Sequence, residues 1–270
     1  MVNLSRFSVE GKVAVVTGGS RGIGRAIALG LAQAGADVVV TSRKLPDLEN
    51  VAEEVKKLGK KAMPIAAHIG KMENIRTLVD AVMNEFGRID ILVNNAGCTP
   101  GIGTILTNEE RLWDTIMNLN LKGLYFMSQA VARIMKEQGG GAIVNVASMD
   151  GYKPEPYVGI YSISKAAVIM ATKSMALELA PYKIRVNAIA PGPVSTKMLD
   201  SHWFHLPEEQ AKTEKAELAK QVPLGRIADP DEMVGAVIYL ASEASSFTTG
   251  DTILIDGGCT IASPEIISEI

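Results

Sequence analysis

Short, almost continuously apolar runs alternate with amphipathic helical segments along the chain, and this alternation constrains the fold more than any other feature of the sequence. Because the runs are rich in β-branched residues and contain few polar ones, they are typical of strands buried on both faces. These runs are Val13–Val16, Val38–Val40, Ile91–Val93, Ile143–Val146, Ile184–Ile189 and Ile253–Ile255.

The segments between these runs have the period and the end signals of helices. Apolar residues within 75–86 recur every three or four positions and therefore share one helix face. Thr107 and Glu110 have the spacing of a capping box, which predicts a long helix over about 107–137. A second long helix is expected over about 159–181, and Asp229 followed by Pro230 predicts the start of another.

Strands and helices that alternate in this way form a parallel sheet with right-handed crossovers. The sequence therefore predicts an α/β fold with a doubly wound, mostly parallel, Rossmann-type sheet of about seven strands and helices on both faces. The repeating units consume nearly all of the 270 residues, which favours a single domain over 1–270 rather than two small domains.

The composition argues against several other classes of protein. Hydrophobic residues make up 47% of the chain and charged residues 21%, which is the usual balance of a globular protein. A net charge of −3 argues against sequence-independent nucleic-acid binding, and no apolar run approaches the length of a membrane span. We therefore expect neither a nucleic-acid partner nor a membrane partner.

The cysteines and histidines predict neither a disulfide framework nor a metal site. Cys98 and Cys259 are the only cysteines, so a reducing cytoplasm is the expected compartment. Residues 1–13 lack the apolar core of a signal peptide. His202 and His205 have no evident third ligand, so we expect them in or at the rim of a pocket and expect no metal.

A glycine-rich turn follows the first strand and precedes a helix. It reads Thr17-Gly18-Gly19-Ser20-Arg21-Gly22-Ile23-Gly24. In this position, backbone N–H groups and the positive end of the helix can bind a pyrophosphate, and glycine permits close backbone approach. The alternative is an ordinary tight turn, but the place directly after the first strand favours a dinucleotide-binding site.

The end of the second strand indicates which dinucleotide would bind. An acidic residue about 20 residues after the turn usually holds the ribose hydroxyl of NAD. Here the strand ends with Val40-Thr41-Ser42-Arg43-Lys44, and Asp37 lies too early. The positive charges of Arg43, Lys44 and Arg21 suit the 2′-phosphate of NADP, unless they are solvated loop cations.

Tyr161 and Lys165 are four residues apart, so on a helix their side chains share a face. Tyr161 is the only one of the six tyrosines with a lysine four residues later. Because an adjacent ammonium favours the phenolate, the pair predicts a tyrosine pKa lowered toward proton exchange at neutral pH. Ser148 follows the strand Ile143–Val146, at the end of the sheet where such folds bind ligands.

Together these motifs resemble those of the single-domain short-chain dehydrogenases/reductases, and the likeness runs over about residues 11–258. As a set, the matching motifs are highly specific. The chain also resembles the branch of NADP-dependent carbonyl reductases that carry Ser-Arg-Lys after the second strand. The matching residues are the glycine-rich turn, Asn94-Asn95-Ala96-Gly97, Asn120 within Asn118–Leu121, Ser148, Tyr161 with Lys165, and Pro191-Gly192 with Thr196.

The resemblance implies four catalytic residues. Tyr161 would be the general acid in carbonyl reduction and the base in alcohol oxidation, and Ser148 would bind the substrate oxygen. Lys165 would lower the tyrosine pKa and hold the nicotinamide ribose. Asn120 would position a water in a proton relay or would only kink its helix. The cofactor-binding residues implied are Gly18, Ser20, Arg21, Gly22, Ile23, Gly24, Ser42, Arg43, Lys44, His68, Ile69, Asn95, Ala96, Gly97, Tyr161, Lys165, Pro191, Gly192, Val194 and Thr196.

His68 and Asn95 allow further interpretations. At the end of the third strand the family commonly has an acidic residue against the adenine, where this chain has His68. His68 would contact the adenine or would be a simple polar loop residue. Asn95 would tie neighbouring strands together as well as line the cofactor.

The segment after Thr196 carries the variable substrate specificity of the family, and we expect a substrate lid over about 195–222. Met198 and Trp203, with Phe204, would cover the substrate and exclude water, or would pack on the body or on a neighbouring subunit. The substrate-binding residues expected are Ser148, Met149, Tyr157, Tyr161, Met198 and Trp203.

Assembly is also implied by the resemblance. Related enzymes pair their long helices, here 107–137 and 159–181, and a homotetramer is the family default. The tail over about 259–270 is rich in isoleucine, which suits contact with a partner subunit, the alternative being a frayed terminus.

The sequence thus predicts an oxidoreductase that transfers a hydride between NADP(H) and a ketone or secondary alcohol, acting as a reductase in cells. One alternative is a 3-oxoacyl-thioester reductase of fatty-acid synthesis, for which a basic docking patch for an acidic carrier protein is not obvious. Another is a non-catalytic NADP-sensing regulatory protein that kept the fold, against which the intact Ser148, Tyr161 and Lys165 set argues.

Overall fold

The strands form one parallel sheet, and the predicted α/β, doubly wound architecture of seven strands is confirmed. The computed structural model describes residues 4–201, 203 and 206–262. Within them the strand order is β3-β2-β1-β4-β5-β6-β7. The strands are β1 Val13–Thr17, β2 Asp37–Ser42, β3 Ala62–Ala66, β4 Ile91–Asn94, β5 Gly141–Val146, β6 Ile184–Pro191 and β7 Thr252–Ile255.

Helices cover both faces of this sheet. Successive strand residues face opposite sides, so Val13 and Val15 pack in one layer while Ala14 and Val16 pack in the other. The first layer holds α3, α5 and α6, and the second holds α1, α2 and α9. The helices are α1 Gly22–Gln33, α2 Leu45–Lys57, α3 Met72–Phe86, α4 Glu110–Met117, α5 Leu124–Glu137, α6 Gly159–Leu179, α7 Lys197–Asp200, α8 Glu208–Gln221 and α9 Val234–Ala241.

The order in which successive strands are added to the sheet reverses at β1. β2 and β3 lie on one side of β1, whereas β4 and the later strands lie on the other. The connections that leave β1 and β4 therefore diverge, which opens a crevice at the carboxyl ends of these neighbouring strands. That crevice is where a ligand is expected to bind.

The long helix predicted over 107–137 starts later than expected and is interrupted. Thr107 does not cap it, because Thr107 Oγ1 accepts the N–H of Thr104 at 3.0 Å in the preceding turn, and α4 begins at Glu110. Residues Asn118–Gly123 form a π-helical turn between α4 and α5. Gly123 lets this turn approach the loop after β3, since a Cβ there would lie 2.7 Å from the carbonyl oxygen of Ile69.

The remaining elements differ from the predictions by a few residues. The helix expected over 159–181 ends at Leu179, and a 3₁₀ turn follows over Ala180–Tyr182. At Asp229 the predicted cap is confirmed, because the Glu232 carboxylate accepts the Asp229 N–H at 2.8 Å before α9. β6 runs on to Pro191 instead of ending at residue 189.

Within the described residues, no helix has both the length and the apolar character needed to cross a bilayer. His202, Phe204, His205 and the tail after Ala262 lie outside the described residues. The predictions made for them stay predictions.

Candidate active site

The glycine-rich turn folds tightly between β1 and α1. The N–H groups of Gly18 and Gly19 donate to the Thr41 carbonyl oxygen at 2.7 and 3.2 Å, and Gly18 has a φ of +66° that disfavours other residues. A Cβ on Gly24 would overlap the Gly18 carbonyl oxygen. α1 begins at Gly22, so the unpaired N–H groups of its first turn lie beside the glycine-rich turn.

Asn95 holds this turn in place from the end of β4. Its Nδ2 donates to the carbonyl oxygens of Thr17 and Gly18 at 3.0 and 3.1 Å. In return, Thr17 Oγ1 accepts the N–H groups of Asn95 and Ala96, both at 3.0 Å. The structure thus ties β4 to β1 through Asn95, whereas contact with a cofactor stays a prediction.

Three exposed cations lie near the glycine-rich turn. β2 pairs with β1 in register Thr17 to Thr41, so Ser42, Arg43 and Lys44 continue past the same edge of the sheet as Gly18. The side chains of Arg43, Lys44 and Arg21 are exposed. This placement allows them to contact a phosphate near the ends of β1 and β2.

His68 and Ile69 follow β3 and have local structural contacts. His68 Nδ1 accepts the N–H of Gly70 at 3.1 Å, and Ile69 is buried beneath the π-helical turn. This hydrogen bond gives His68 a role in its own turn, and an adenine contact stays a prediction.

Ser148, Tyr161 and Lys165 meet beyond the end of β5. Ser148 is buried, and its Oγ accepts the N–H of Asp150 at 3.2 Å, which caps a 3₁₀ turn over Met149–Gly151. Lys165 Nζ donates to the carbonyl oxygen of Val146 at 2.8 Å. The same nitrogen lies 5.5 Å from the centre of the Tyr161 ring. The arrangement places a hydroxyl, a phenol and an ammonium in one small region.

Burial dominates the ionisation of the tyrosine and the lysine. It raises the pKa of Tyr161 above its ordinary value, reinforced by the charge of Asp150 and only partly offset by a hydrogen bond with Ser148. Burial also lowers the pKa of Lys165 to about 8, against the attraction of Asp150. The prediction of a lowered tyrosine pKa is therefore wrong for the chain by itself, because loss of solvent and the charge of Asp150 both raise it.

Asn120 joins the π-helical turn to the loop after β4 and to α6. Its Oδ1 accepts the Cys98 N–H at 2.8 Å, and its Nδ2 donates to the Cys98 carbonyl oxygen at 3.0 Å and to Ser164 Oγ at 3.1 Å. Ser164 Oγ in turn donates to the Tyr161 carbonyl oxygen at 2.7 Å. A Cβ on Gly97 would lie 3.4 Å from Asn120 Oδ1 and 3.5 Å from Lys165 Nζ, so Asn120 is close to the lysine.

Sequence reasoning missed Ser164. It stands between Tyr161 and Lys165 and is fully buried. The one available signal was a small polar residue on the helix that carries the tyrosine and the lysine. The sequence did not indicate its partner, because Asn120 lies 44 residues away along the chain.

The segment after β6 lies against the glycine-rich turn. A Cβ on Gly192 would lie 2.7 Å from Asp256 Cα, so only glycine fits there without a shift. Val194 forms an isolated bridge with Ala228. Thr196 Oγ1 accepts the N–H of Leu199 at 3.3 Å and caps α7, while its methyl group faces Gly22. This segment therefore borders the glycine-rich turn through Thr196, and it begins where β6 ends at Pro191.

The expected substrate-binding residues are more dispersed. Met149 follows Ser148 directly and is half-buried, and Trp203 is also half-buried. Met198 is 39% exposed on α7. Tyr157 has a φ of 66° and lines a groove of about 610 Å³ together with Trp113 and Ile163. Ser148 and Tyr161 do not line that groove, so Tyr157 lies on a neighbouring surface.

Comparison with known proteins assigns the family. Residues 18–260 match the family model described as Enoyl-(Acyl carrier protein) reductase. Dehydrogenase/reductase SDR family member 4 of Sus scrofa is 38% identical over 253 residues, which covers 94% of this chain and 88% of that protein. The chain belongs to the short-chain dehydrogenase/reductase family.

Two further relatives of the enzyme act on sugar acids according to their names. The 2-dehydro-3-deoxy-D-gluconate 5-dehydrogenase of Escherichia coli (strain K12) is 43% identical over 256 residues, which covers 94% of this chain and 98% of that protein. The crystal structure of a gluconate 5-dehydrogenase from Burkholderia cenocepacia J2315, in complex with NADP and tartrate, is similar with a TM-score of 0.89 and 36% identity, covering 96% and 99% of the two chains.

Membership of the family establishes the reaction class. Short-chain dehydrogenases/reductases use a nicotinamide cofactor and act on hydroxyl or keto groups of small molecules, so this chain is an oxidoreductase of that kind. The predicted family and reaction class are confirmed. Among the described residues, no group of three His, Cys, Asp or Glu side chains is arranged to hold a metal ion.

Proposed function

We propose that the enzyme transfers a hydride between NADP(H) and a ketone or secondary alcohol, and that Tyr161 is its general acid in reduction and base in oxidation. The observation that carries the proposal is the meeting of Ser148, Tyr161 and Lys165 at the carboxyl end of β5, with Lys165 Nζ 5.5 Å from the Tyr161 ring centre. Phenol and ammonium groups in this arrangement support proton transfer to a substrate oxygen.

The residues around the crevice fit a nicotinamide dinucleotide with a 2′-phosphate. The turn between β1 and α1 is packed so tightly that it has no room for a Cβ at Gly24. A tight turn at the start of a helix would allow the backbone N–H groups to approach a pyrophosphate closely. Exposed Arg43 and Lys44 follow β2, with Arg21 across from them, and would hold the phosphate. When bound, the nicotinamide supplies or accepts the hydride. Asn95, Ala96 and Gly97 after β4, and Pro191, Gly192, Val194 and Thr196 after β6, would border it.

The four proposed catalytic residues have separate roles in donating a proton to the substrate and in stabilising the charge that develops on its oxygen. The raised pKa of Tyr161 keeps its hydroxyl protonated at neutral pH, which suits an acid in carbonyl reduction. Ser148 would donate to the substrate oxygen as negative charge develops there. Lys165, with a pKa of about 8, is mostly charged near neutral pH and would hold the ribose hydroxyls. Asn120 would position a water near Lys165.

A lid over 195–222 is part of the proposal. Lys215 Nζ lies 2.9 Å from Asp200 Oδ1, which couples α8 to α7. α8 itself has no buried residue, so it can move with little loss of packing. Closure would bring Met198 and Trp203 over the substrate and exclude water. The named relatives make sugar acids candidate substrates, whereas this apolar cover favours a less polar ketone.

A carbonyl panel tests the function. Purified enzyme with NADPH or NADH would be offered aliphatic and aromatic ketones, keto sugars and keto sugar acids, with oxidation of the reduced nicotinamide as the readout. Tyr161→Phe should lower kcat/KM by roughly 10²–10⁴-fold and leave NADPH affinity unchanged. A regulatory protein that only senses NADP would turn over nothing in the panel, and its output would survive the substitution.

A 3-oxoacyl-thioester reductase is the second candidate. The matching family model carries the description Enoyl-(Acyl carrier protein) reductase, which names a carrier-protein substrate. A 3-oxoacyl group presented on coenzyme A and on a carrier protein separates the candidates. Faster turnover of both thioesters than of every free ketone would favour this second function.

The assembly and the compartment are proposed on separate observations. α5 and α6 expose Phe126, Ile163, Met170 and Leu177, an apolar surface that suits a homotetramer. Both cysteines, Cys98 and Cys259, are free thiols, as expected in the cytoplasm. Light scattering of the purified enzyme gives the mass, and a monomer at micromolar concentration would contradict the tetramer.

A further inference from the structure

A chain of buried polar side chains runs from β4 across β5 to the helix that carries Tyr161. Asn94 ends β4 and lies beside Asn145 of β5 in the sheet. Asn94 Nδ2 donates to Asn145 Oδ1 at 2.9 Å, and Asn145 Nδ2 donates to Thr172 Oγ1 of α6 at 2.9 Å. Asn94 Nδ2 also donates to Ser128 Oγ of α5 at 2.8 Å. All four side chains are buried, so they depend on one another as hydrogen-bond partners.

The positions around this polar chain are apolar. Leu92 and Ile143, two residues before the asparagines on the same faces of β4 and β5, belong to the buried core, as does Val168 one turn before Thr172. Buried amides cost free energy unless they are paired, and apolar groups of the same shape can be equally stable. Core stability alone therefore does not require polar side chains at Asn145 and Thr172.

α6 is joined to β5 by two polar contacts. One is the bond between Asn145 and Thr172, and the other is the donation of Lys165 Nζ to the Val146 carbonyl oxygen at 2.8 Å. Lys165 and Thr172 are about two turns apart, so they share one face of α6. Apolar contacts are non-directional, whereas a hydrogen bond needs a narrow range of distances and angles. The two bonds together therefore define how far α6 lies along β5 and how it is rotated.

We propose that Asn145 and Thr172 are positioning residues, which hold α6 in one register on β5. In that register, Tyr161 and Lys165 meet Ser148 at the end of the strand. The inference rests on the proposed function, in which these three residues act on the substrate oxygen. Without the Asn145–Thr172 bond, the apolar core can still pack while α6 shifts slightly, and a misplacement of about 1 Å can lower a rate by roughly 100-fold.

Thr172→Val tests the inference. The valine has nearly the same shape but no hydroxyl, so Asn145 Nδ2 loses its acceptor while Tyr161 and Lys165 are unchanged. We expect kcat for carbonyl reduction to fall by roughly 10- to 100-fold, with little change in the KM for NADPH. Rates are measured well below the melting temperature of each variant, so that the folded fraction is the same. Thr172→Ser keeps the hydroxyl and should retain the wild-type kcat.

Ser128→Ala is the matched control at the other end of the polar chain. It removes a buried hydroxyl that accepts from Asn94 Nδ2, but α5 carries none of the proposed catalytic residues. We expect Ser128→Ala to lower the melting temperature as Thr172→Val does, and to keep kcat. If the polar chain served stability alone, both variants would melt earlier and both would keep kcat.

A double variant guards against a failure of Thr172→Val to fold. Asn145→Leu combined with Thr172→Val replaces both partners by apolar groups, so it leaves no unpaired amide on β5. Asn94 Nδ2 keeps its bond to Ser128. This double variant should melt closer to the wild type than Thr172→Val does, and should show the same loss of kcat.

The outcomes separate this inference from the proposed function. A wild-type enzyme that reduces no carbonyl in the panel overturns both. An active wild type whose kcat survives in Thr172→Val, or in the double variant, overturns the positioning role alone. An equal loss of kcat in Ser128→Ala, or a Thr172→Ser variant as slow as Thr172→Val, has the same effect.

Discussion

Lys165 Nζ lies over the Tyr161 ring, 5.5 Å from its centre, while it donates to the Val146 carbonyl oxygen at 2.8 Å. The amine is thus fixed between the end of β5 and the phenol four residues earlier on α6. An ammonium has three N–H donors, so the bond to Val146 leaves donors for other acceptors, such as the hydroxyls of a ribose. Burial disfavours the charged form of Lys165, and its pKa is therefore lowered to about 8.

Lys165→Met should change how stability depends on pH. The lysine pKa is 10.5 in the unfolded chain and about 8 in the folded one, so between these values the unfolded state binds more protons. The wild-type free energy of unfolding should therefore rise, relative to the variant, by roughly 2–3 kcal/mol as the pH goes from 7 to 10. Urea denaturation of the two proteins at several pH values measures the difference.

The control for this experiment lies on the same helix. Lys173 is exposed on α6, so Lys173→Met removes a solvated lysine. Its difference from the wild type should stay constant over the same pH range. A constant difference for Lys165→Met as well would mean that the pKa of the buried amine is not lowered in the folded protein.

Arg43→Ala should weaken NADP(H) more than NAD(H). Arg43 is exposed directly after β2, beside the glycine-rich turn, where it would form a charge-assisted hydrogen bond to a 2′-phosphate. Loss of such a bond costs roughly 1.5–3 kcal/mol, which is about 10- to 100-fold in the KM for NADPH. The KM for NADH should change little. Lys57→Ala on α2 is the control, and an equal loss for both cofactors would rule out recognition of the phosphate.

The sequence predicted the fold from the buried strands. Val13–Val16 and the other strand segments are apolar runs because helices cover both sides of the sheet. The pattern of apolar residues along a strand therefore indicates directly which of its faces are buried. β3 was harder to find as a run, since it is an edge strand that tolerates Pro64 and is only partly buried. The predicted helix cap at Thr107 was wrong because the Thr107 hydroxyl accepts a hydrogen bond within an earlier turn. Residue spacing alone does not reveal such a competing bond.

The candidate site was predicted only where a motif carried it. Tyr161, Lys165 and Ser148 were found, but the sign of the tyrosine pKa was not. A charge four residues away is visible in sequence, whereas desolvation depends on packing from remote segments. Ser164 and Asp150 escaped for the same reason, because their partners are defined by the way that α6, the π-helical turn and the 3₁₀ turn pack together.

Ser164→Ala should lower turnover through Asn120. Ser164 Oγ accepts from Asn120 Nδ2 and donates to the Tyr161 carbonyl oxygen, so its loss frees one side of the amide. We expect a loss of about 1 kcal/mol in stability and a several-fold drop in kcat, with cofactor affinity kept. Ser162→Ala is a matched control, since Ser162 is also buried on α6 and its hydroxyl donates to the carbonyl oxygen of Val158, directly before that helix. Equal kcat values for the two variants would contradict a role for Ser164 in holding Asn120.

Gly24→Ala and Gly235→Ala should have opposite effects, although both glycines lie in the first turn of a helix. A Cβ on Gly24 would overlap the Gly18 carbonyl oxygen and the Asn95 amide, whereas a Cβ on Gly235 would meet nothing within 4 Å. We expect Gly24→Ala to lose about 1–3 kcal/mol of stability and most of its NADPH affinity, because the turn must open. Gly235→Ala should gain up to roughly 1 kcal/mol from the helix propensity of alanine, with unchanged NADPH affinity. Thermal unfolding with and without NADPH measures both effects. If Gly24→Ala binds NADPH as tightly as Gly235→Ala does, the cofactor does not require the close packing of this turn.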